Sequence, residues 1–177
     1  MAGLTQPLEG PYYFVYLLAA RGSLAGVAGI RCGVTYQGGA AGAIGDREGI
    51  DILAWRLCAT VDMDTPDAPV WPQPGSGNTI TWDLPESCQD GEVAVAGYFY
   101  LGAYHADVLQ LIADPVSGSA TLRDCQSGSV DLDPAQDLGS AAFSPGATGV
   151  SCNPCDLACS GIPVVPITWG AIKSLFD

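Results

Sequence analysis

Apolar and polar residues alternate with a period of two through most of this 177-residue chain, and that alternation limits its fold more than any other feature. Successive side chains of a β-strand point to opposite faces, so the pattern predicts strands that each bury one face. Residues 12–20, 50–61 and 92–104 are good examples, and segments rich in Gly and Pro separate the strands. The sequence therefore predicts an all-β fold, an antiparallel β-sandwich of jelly-roll or immunoglobulin-like type with about eight strands.

The C-terminal residues depart from this pattern. Thr168 is a suitable N-cap for a short amphipathic helix that carries one apolar stripe. The stripe consists of Trp169, Ile172 and Phe176. We therefore divide the chain into a β-sandwich domain, residues 1–160, and a Pro-rich arm with a C-terminal amphipathic helix, residues 161–177.

Charge is scarce and mostly negative, which excludes two classes of partner. Only 14% of the residues are charged, and 6 Lys and Arg against 19 Asp and Glu give a net charge of −13. Nucleic acids and anionic membranes are bound by clustered Lys and Arg, which this chain lacks. The longest apolar segments, including residues 12–20 and 93–101, are too short to span a bilayer as a helix. The sequence predicts no nucleic-acid partner and no membrane span.

Cysteine usage indicates the compartment. An acidic chain with seven cysteines and a single lysine is typical of oxidising, extracytoplasmic locations. We predict a protein that is secreted or held at the cell surface. The first residues lack the basic region and apolar core of a signal peptide, so we expect that a leader is not present in this chain.

Two disulfide pairs are expected from the positions of the cysteines along the strands. Cys88 and Cys125 flank the central strands, and Cys32 and Cys58 lie on consecutive long strands. The densest cluster consists of Cys152, Cys155 and Cys159. We expect these thiols to pair with Cys32, Cys58, Cys88 or Cys125, and the alternative is a metal, iron–sulfur or redox site. Because seven is an odd number, one thiol remains, either buried or available for a bridge between subunits.

Aromatic residues concentrate on two strands. The first strand carries Tyr12, Tyr13, Phe14 and Tyr16. In residues 92–104, alternation places Tyr98, Tyr100 and Tyr104 on one face and Phe99 on the other. We expect a central strand that is buried on both faces. The alternative is an open platform that stacks sugar rings, joined by Trp71, which we expect to be exposed in its Pro-rich loop. The candidate ligand-binding residues are therefore Trp71, Tyr98, Tyr100 and Tyr104.

Acidic residues in two loops have a spacing that suits calcium. Asp62, Asp64 and Asp67 place three carboxylates in one Pro-rich loop, and hard oxygen ligands at alternate positions suit Ca²⁺. A second set comprises Asp131, Asp133 and Asp137. Neither set matches the twelve-residue EF-hand loop, so the alternative is solvated loop carboxylates. Apart from this Ca²⁺ we expect no cofactor.

Catalytic signals are weak. His105 is the only histidine, and the chain has no Gly-x-Ser-x-Gly nucleophile elbow. A glycosidase needs two facing carboxylates, and a chain with 19 acids always offers such pairs, so the pairing has no predictive value. We therefore assign no catalytic residue.

Several short motifs, individually weak and distinctive together, resemble a family of bacterial proteins predicted to be secreted, whose function is not known. The motifs are Val70-Trp71-Pro72, Thr79-Ile80-Thr81-Trp82-Asp83, Cys88-Gln89, Val95-Ala96-Gly97-Tyr98-Phe99-Tyr100, Ala103-Tyr104-x-Ala106-Asp107, Asp124-Cys125, Asn153-Pro154-Cys155 and Thr168-Trp169-Gly170-x-Ile172-Lys173-x-Leu175-Phe176. The resemblance covers the chain from about residue 11 onward. It implies an extracytoplasmic β-rich domain and no catalytic activity, and the family has a small residue where this chain has His105.

Three hypotheses about function follow. The first is a non-catalytic, extracytoplasmic structural or self-assembling interaction domain, forming a homo-oligomer or a surface assembly. It is favoured by the low charge, the odd cysteine and the Pro-rich arm before the apolar stripe. The second is a carbohydrate-binding module that takes a polysaccharide on exposed aromatic residues. The third is a glycosidase or lyase that uses a pair of carboxylates.

Overall fold

The computed structural model describes residues 12–37 and 45–143. This part of the chain forms strands connected by turns and loops, and it contains no α-helix. The strands are β1 (Tyr12–Ala20), β2 (Gly29–Thr35), β3 (Ile50–Leu57), β4 (Val61–Asp64), β5 (Ser76–Thr81), β6 (Val93–Ala103), β7 (Asp107–Ile112), β8 (Ala120–Arg123), β9 (Ser129–Leu132) and β10 (Ser140–Phe143).

The strands form two antiparallel sheets. The smaller sheet has three strands in the order β1-β6-β3, so that β6 lies in the centre. The larger sheet has seven strands, with the path β10-β7-β2-β5-β4 and with β8 paired to β2 and β9. Strand β2 is the hub of the larger sheet, because β5 pairs along one of its edges while β7 and β8 share the other.

The inner faces of both sheets enclose one apolar core. Alternation along β6 turns Phe99 and Leu101 inward, and alternation along β2 does the same for Ile30 and Val34. All four side chains are at least 95% buried and belong to a single cluster that spans the two sheets. The architecture is therefore an antiparallel β-sandwich, as the alternation of the sequence predicts.

A disulfide ties the loop after β5 to the end of β8. Cys88 and Cys125 are bonded with their Cα atoms 5.8 Å apart, which confirms that predicted pair. The bond packs directly on the chain before β2, where a Cβ added to Gly26 would lie 2.7 Å from the Cys125 sulfur. A glycine at this position lets the disulfide approach the backbone closely.

The strands differ from the prediction mainly in the polar part of the chain. Asp62 and Asp64 were expected to lie in a Pro-rich loop, but Val61–Asp64 pairs with β5 as an edge strand. Ser129–Leu132 pairs with β8 in a region also expected to be mostly loop. The described part thus has ten strands rather than about eight. Within it, no helix is long and apolar enough to cross a membrane. The predicted helix and arm, residues 161–177, lie outside the described residues.

Candidate functional site: an aromatic sheet face

The outer face of the smaller sheet carries a continuous cluster of aromatic rings. The cluster forms because β1 and β6 pair in a register that sets Phe14 opposite Tyr100 and Tyr16 opposite Tyr98. Residues that are directly opposite in an antiparallel pair project to the same side of the sheet. We call this cluster the aromatic face; it consists of Tyr12, Phe14, Tyr16, Tyr98, Tyr100 and Tyr104.

Each ring of the aromatic face contacts at least one other ring. The centroid of Phe14 lies 5.1 Å from that of Tyr100 and 5.6 Å from that of Tyr98. Tyr12 stacks on Tyr100 at 5.8 Å with an angle of 27° between the planes, and Tyr16 lies 5.7 Å from Tyr98. Aromatic pairs attract at these separations. The rings therefore hold one another in position, and the face is preformed.

The cluster is open to solvent. On β1, Phe14 is 45% exposed and Tyr16 is 44% exposed. On the outer side of β6, Val93 and Val95 are exposed and Tyr98 and Tyr100 are half-buried, whereas Phe99 on the inner side is buried in the core. The expectation that this strand is buried on both faces is therefore wrong. Strand β6 is central within its sheet, but the larger sheet covers only one side of it. The geometry is that of the alternative, an open aromatic face.

Aliphatic side chains continue the apolar surface beyond the rings. A register shift between Leu17 and Leu18 brings Leu18 opposite Val95 and Ala20 opposite Val93, all four on the outer side. We call this region the aliphatic strip; it consists of Leu18, Val93 and Val95, each of which is exposed. Together the aromatic face and the strip run along the length of β1 and β6. On β3, Leu53 is exposed at the irregularity beside Tyr100, and Arg56, opposite Tyr98, places an exposed cation on the same side.

A cation and a glycine shape the rim of the aromatic face. The Arg47 guanidinium lies 5.8 Å above the Tyr104 ring, a distance at which a cation is attracted by the ring. The Tyr104 amide donates to the Gly49 carbonyl, which fixes the start of the turn after β6. A Cβ added to Gly102 would lie 2.9 Å from the Tyr104 hydroxyl, so the glycine gives this ring room to fold back over the sheet.

The rim also affects the acidity of one phenol. The hydrogen bond with Tyr12, followed by desolvation, raises the pKa of Tyr104 above its ordinary value. Arg47 acts in the opposite direction, whereas the charge of Asp51 adds to the increase. The Tyr104 phenol therefore stays neutral at physiological pH.

Trp71, the fourth residue predicted to bind a ligand, is not part of this face. Its side chain is only 7% exposed and packs against Trp55 and Phe99, with ring centroids 5.5 and 5.6 Å away. The prediction that Trp71 is exposed is wrong, because the Pro-rich loop folds back over the end of the core. The Tyr36 hydroxyl donates to the Pro72 carbonyl and helps to hold that loop in place. Tyr98, Tyr100 and Tyr104 do share one face, as expected.

The carboxylates predicted to bind calcium have other surroundings. Asp62 lies on β4 and accepts hydrogen bonds from the Trp55 indole at 2.9 Å and the Asn78 amide at 3.1 Å. Asp64 lies on the same strand, and Asp67 has a positive φ of 63° in the following turn. Within residues 12–37 and 45–143, no three His, Cys, Asp or Glu side chains are grouped so that they could hold a metal ion. The calcium site remains a prediction without geometric support.

The second predicted disulfide does not form. Among the described cysteines, Cys32 and Cys58 are bonded neither to each other nor to a third residue; Cys32 is buried in the core and Cys58 is exposed beyond the end of β3. Pairing fails because β2 and β3 belong to different sheets rather than to one. Burial, and to a lesser extent the charge of Asp114, raises the pKa of Cys32 to about 12, so that this thiol is inert. Cys152, Cys155 and Cys159 lie outside the described residues.

The lone histidine has a local role. His105 is exposed in the turn after β6, and its Nδ1 lies 3.1 Å from the Arg47 carbonyl oxygen. This contact between the imidazole and a backbone oxygen helps to hold the Arg47 segment at the rim of the aromatic face. Nothing in this contact resembles the nucleophile and base pair of a hydrolase.

Two features of the site were missed by the sequence analysis. The first is the register that joins the aromatic clusters of β1 and β6, which depends on pairing two strands about 80 residues apart. The second is Arg47, whose position depends on Asp107 in β7. The Asp107 carboxylate accepts from the amides of Gln37 and Ile50, both at about 3 Å, and so ties the ends of residues 37–50 to the sandwich.

Comparison with known proteins adds the following. No protein-family model matches the chain. No curated protein matches it either. A solved structure, the cohesin module of the family 33 glycoside hydrolase of Clostridium perfringens, is similar over 67% of this chain and 73% of its own length, with 12% identity and a TM-score of 0.41. At that level the similarity carries no argument about function.

Proposed function

We propose that this protein is a non-catalytic, extracytoplasmic interaction domain that binds an apolar polypeptide surface on the outer face of its smaller sheet. The observation that carries the proposal is the apolar continuity of that face. Six aromatic rings and three aliphatic side chains line one side of β1, β6 and the turn after β6. On the same side of β3, Ala54 lies opposite Tyr100, and Arg56, opposite Tyr98, adds a cation at the border of this surface. Exposed apolar surfaces of this extent are characteristic of sites that bind other molecules.

The aliphatic strip favours a polypeptide over a sugar as the ligand. A carbohydrate platform stacks sugar rings on flat aromatic side chains and adds polar groups for the hydroxyls. Five of the six rings here are tyrosines with hydroxyls, so the distinction rests on the aliphatic strip, where Leu18 and Val95 continue the surface without a polar side-chain atom. An apolar stripe of another polypeptide is the complement of such a surface.

The compartment is supported by the cysteines. The Cys88–Cys125 bond joins residues that are 37 positions apart in the sequence, one after β5 and the other after β8. Disulfides persist in oxidising environments and are rare in the cytosol. This bond supports an extracytoplasmic location, which the acidic and lysine-poor composition also favours.

The test compares peptide and polysaccharide binding by the same variants. The full chain carries Trp169→Ser and Phe176→Ser, so that its own apolar C-terminal stripe does not compete. A phage-displayed library of random 12-residue peptides is selected on it, and its retention on cellulose and chitin is measured. We expect amphipathic peptides whose binding is lost with Tyr16→Lys. The matched control is Val108→Lys, which is equally exposed at 44% but lies on the larger sheet, and binding should survive it.

Two outcomes would contradict the proposal. Selected peptides that bind Tyr16→Lys as well as the parent chain would show that the aromatic face is not the binding surface. Retention on cellulose or chitin that Tyr16→Lys abolishes and Val108→Lys preserves would identify a sugar platform and favour the carbohydrate-binding hypothesis.

A further inference from the structure

The described chain ends at the β1 edge of the smaller sheet. Phe143, the last residue of β10, lies in the larger sheet opposite Asp107. Its ring nevertheless contacts Tyr13 at the start of β1, with centroids 5.3 Å apart. Tyr13 is opposite Leu101 and projects to the inner side of β1, whereas its neighbour Tyr12 projects to the aromatic face on the other side. The residues after Phe143 therefore continue from the point where the two sheets meet, next to the edge of the smaller sheet.

Enough chain follows to cross that face. The sequence continues for 34 residues, from 144 to 177. Residues 144–160 alone span up to about 55 Å when extended. The smaller sheet is roughly 30 Å long and roughly 15 Å wide, from the rise per residue and the spacing of three strands. Residues 161–177 can therefore reach every part of the outer face of their own chain.

The dimensions of the face suit one helix better than a second copy of the domain. Its area is about 450 Å², from the same spacings. A stable interface between globular proteins buries roughly 800 Å² on each partner, so the face is too small for that role. A helix with side chains is about 10–12 Å across, and twelve residues of it extend about 18 Å. One short helix fills the width of three strands.

The C-terminal residues have the complementary pattern. Trp169, Ile172 and Phe176 form one apolar stripe at helical spacing, and Lys173, four residues after Trp169, lies at the border of that stripe. We infer that residues 161–177 dock in cis on the aromatic face and aliphatic strip of their own chain, with this stripe against the rings. The inference rests on the proposed function, since it names the polypeptide that the face binds in the isolated protein.

The experiment follows the fluorescence of Trp169. The other tryptophans, Trp55, Trp71 and Trp82, lie within the sandwich. The emission of the full chain minus that of Trp169→Phe, which keeps an aromatic ring in the stripe, isolates Trp169. We expect a blue-shifted signal that acrylamide quenches weakly and that does not change on dilution. Tyr16→Lys should shift it to the red and raise the quenching constant several-fold, whereas Val108→Lys should leave it unchanged.

Circular dichroism and the intact Cys88–Cys125 bond check that each variant is folded, and Leu18→Lys serves as a second probe at the other end of the face. Three results would overturn the inference. They are a solvent-exposed Trp169 in the unmodified chain, a shielded Trp169 that ignores both Tyr16→Lys and Leu18→Lys, and shielding that is lost on dilution together with a dimer in sedimentation velocity. The last result would mean docking in trans.

Failure of this inference and failure of the proposed function give different results. If Trp169 is exposed but selected peptides still need Tyr16, the face binds a polypeptide other than its own C-terminal segment. If no peptide depends on Tyr16, the proposed function fails as well, whatever the state of Trp169.

Discussion

The two sheets bury their inner faces in the same way, but their outer faces differ. On the larger sheet, Arg31 stands between Thr79 and Thr121 of the neighbouring strands, and its Nε donates to the Thr79 hydroxyl at 3.3 Å. On the smaller sheet, the corresponding positions carry aromatic rings. The first surface satisfies its polar groups in water or within the sheet. The second exposes rings that water solvates poorly, and this difference is the basis for proposing it as the binding surface.

The larger sheet also covers part of its outer face with its own chain. Gly33 and Gly77 are opposite each other in β2 and β5. The loop between β7 and β8 lies over this pair, and Asp114 accepts hydrogen bonds there from the Thr65 hydroxyl and from the amides of Val116 and Ser117. In the described residues, no loop covers the aromatic face in this way. Glycines thus mark the face that packs on its own loop, and aromatic rings mark the face that the described residues leave uncovered.

The largest effect on the free energy of unfolding is expected when an inner position of β6 is compared with an outer one. Phe99→Ala removes a fully buried ring and should lower the free energy of unfolding by about 3–5 kcal/mol. Tyr100→Ala, one residue further on the outer face, should cost about 1 kcal/mol through lost ring contacts. Denaturant unfolding of both variants measures this. Equal losses would mean that the outer rings are as much a part of the core as Phe99.

The next prediction concerns the glycines of the larger sheet. A Cβ at position 77 would lie 2.7 Å from the Pro115 Cδ and would also meet the Asp114 carboxylate, so Gly77→Ala must push the loop away. We expect a loss of about 1–3 kcal/mol in the free energy of unfolding. Gly91→Ala is the control, since its Cβ would approach only the Val93 carbonyl, at 3.8 Å. A Gly77→Ala variant as stable as Gly91→Ala would show that the loop does not pack on this face.

A smaller, pH-dependent effect should come from Asp114. Burial alone would raise the pKa of this carboxyl, but the hydrogen bonds from Ser117, Thr65 and Val116 outweigh it and hold the pKa below the ordinary value. The stabilisation is therefore present above about pH 4, the unfolded value, and is lost as the pH falls through the folded value.

The corresponding variant is Asp114→Asn, which should cost about 1–2 kcal/mol at neutral pH. It should also flatten the loss of stability on acidification, because the substituted side chain does not titrate. The exposed Asp90→Asn serves as the control. Unfolding followed between pH 7 and about pH 3 measures both effects. An acid profile of Asp114→Asn that matches the parent chain would contradict this role.

The fold could be predicted from the sequence because alternation is a local signal. Residues 12–20 were identified as a strand and form β1. Strands β4 and β9 were missed because they are short, polar edge strands in which burial, and hence alternation, is weak. The irregularity between Ile52 and Ala54 in β3 has no local signal either, yet it decides which of these side chains face the core.

The site was predictable only in part. Tyr98, Tyr100 and Tyr104 share one face because side chains alternate along a strand, and this alternation can be read from the sequence. Whether that face is covered depends on the other sheet, which the sequence does not show. Trp71 was misplaced for the opposite reason. Four prolines in residues 62–78 predict a solvent-exposed loop, but the packing of Trp71 on Phe99 depends on strands distant in sequence.

The smallest effect is expected for alkylation of Cys32 in the native protein. Its thiol faces the core from β2, at the position opposite Asn78. Because burial raises its pKa to about 12, almost no thiolate forms at pH 8, and no path from solvent reaches the sulfur. Iodoacetamide applied to the native protein should therefore leave Cys32 unmodified, while the same reagent in guanidinium chloride should modify it fully. Peptide mass mapping measures the fraction of Cys32 that is modified in each of the two samples. Modification of native Cys32 at an appreciable rate would mean that the sandwich opens locally at β2. The inner face of the larger sheet would then be less well protected from solvent than that of the smaller sheet, although both line one core.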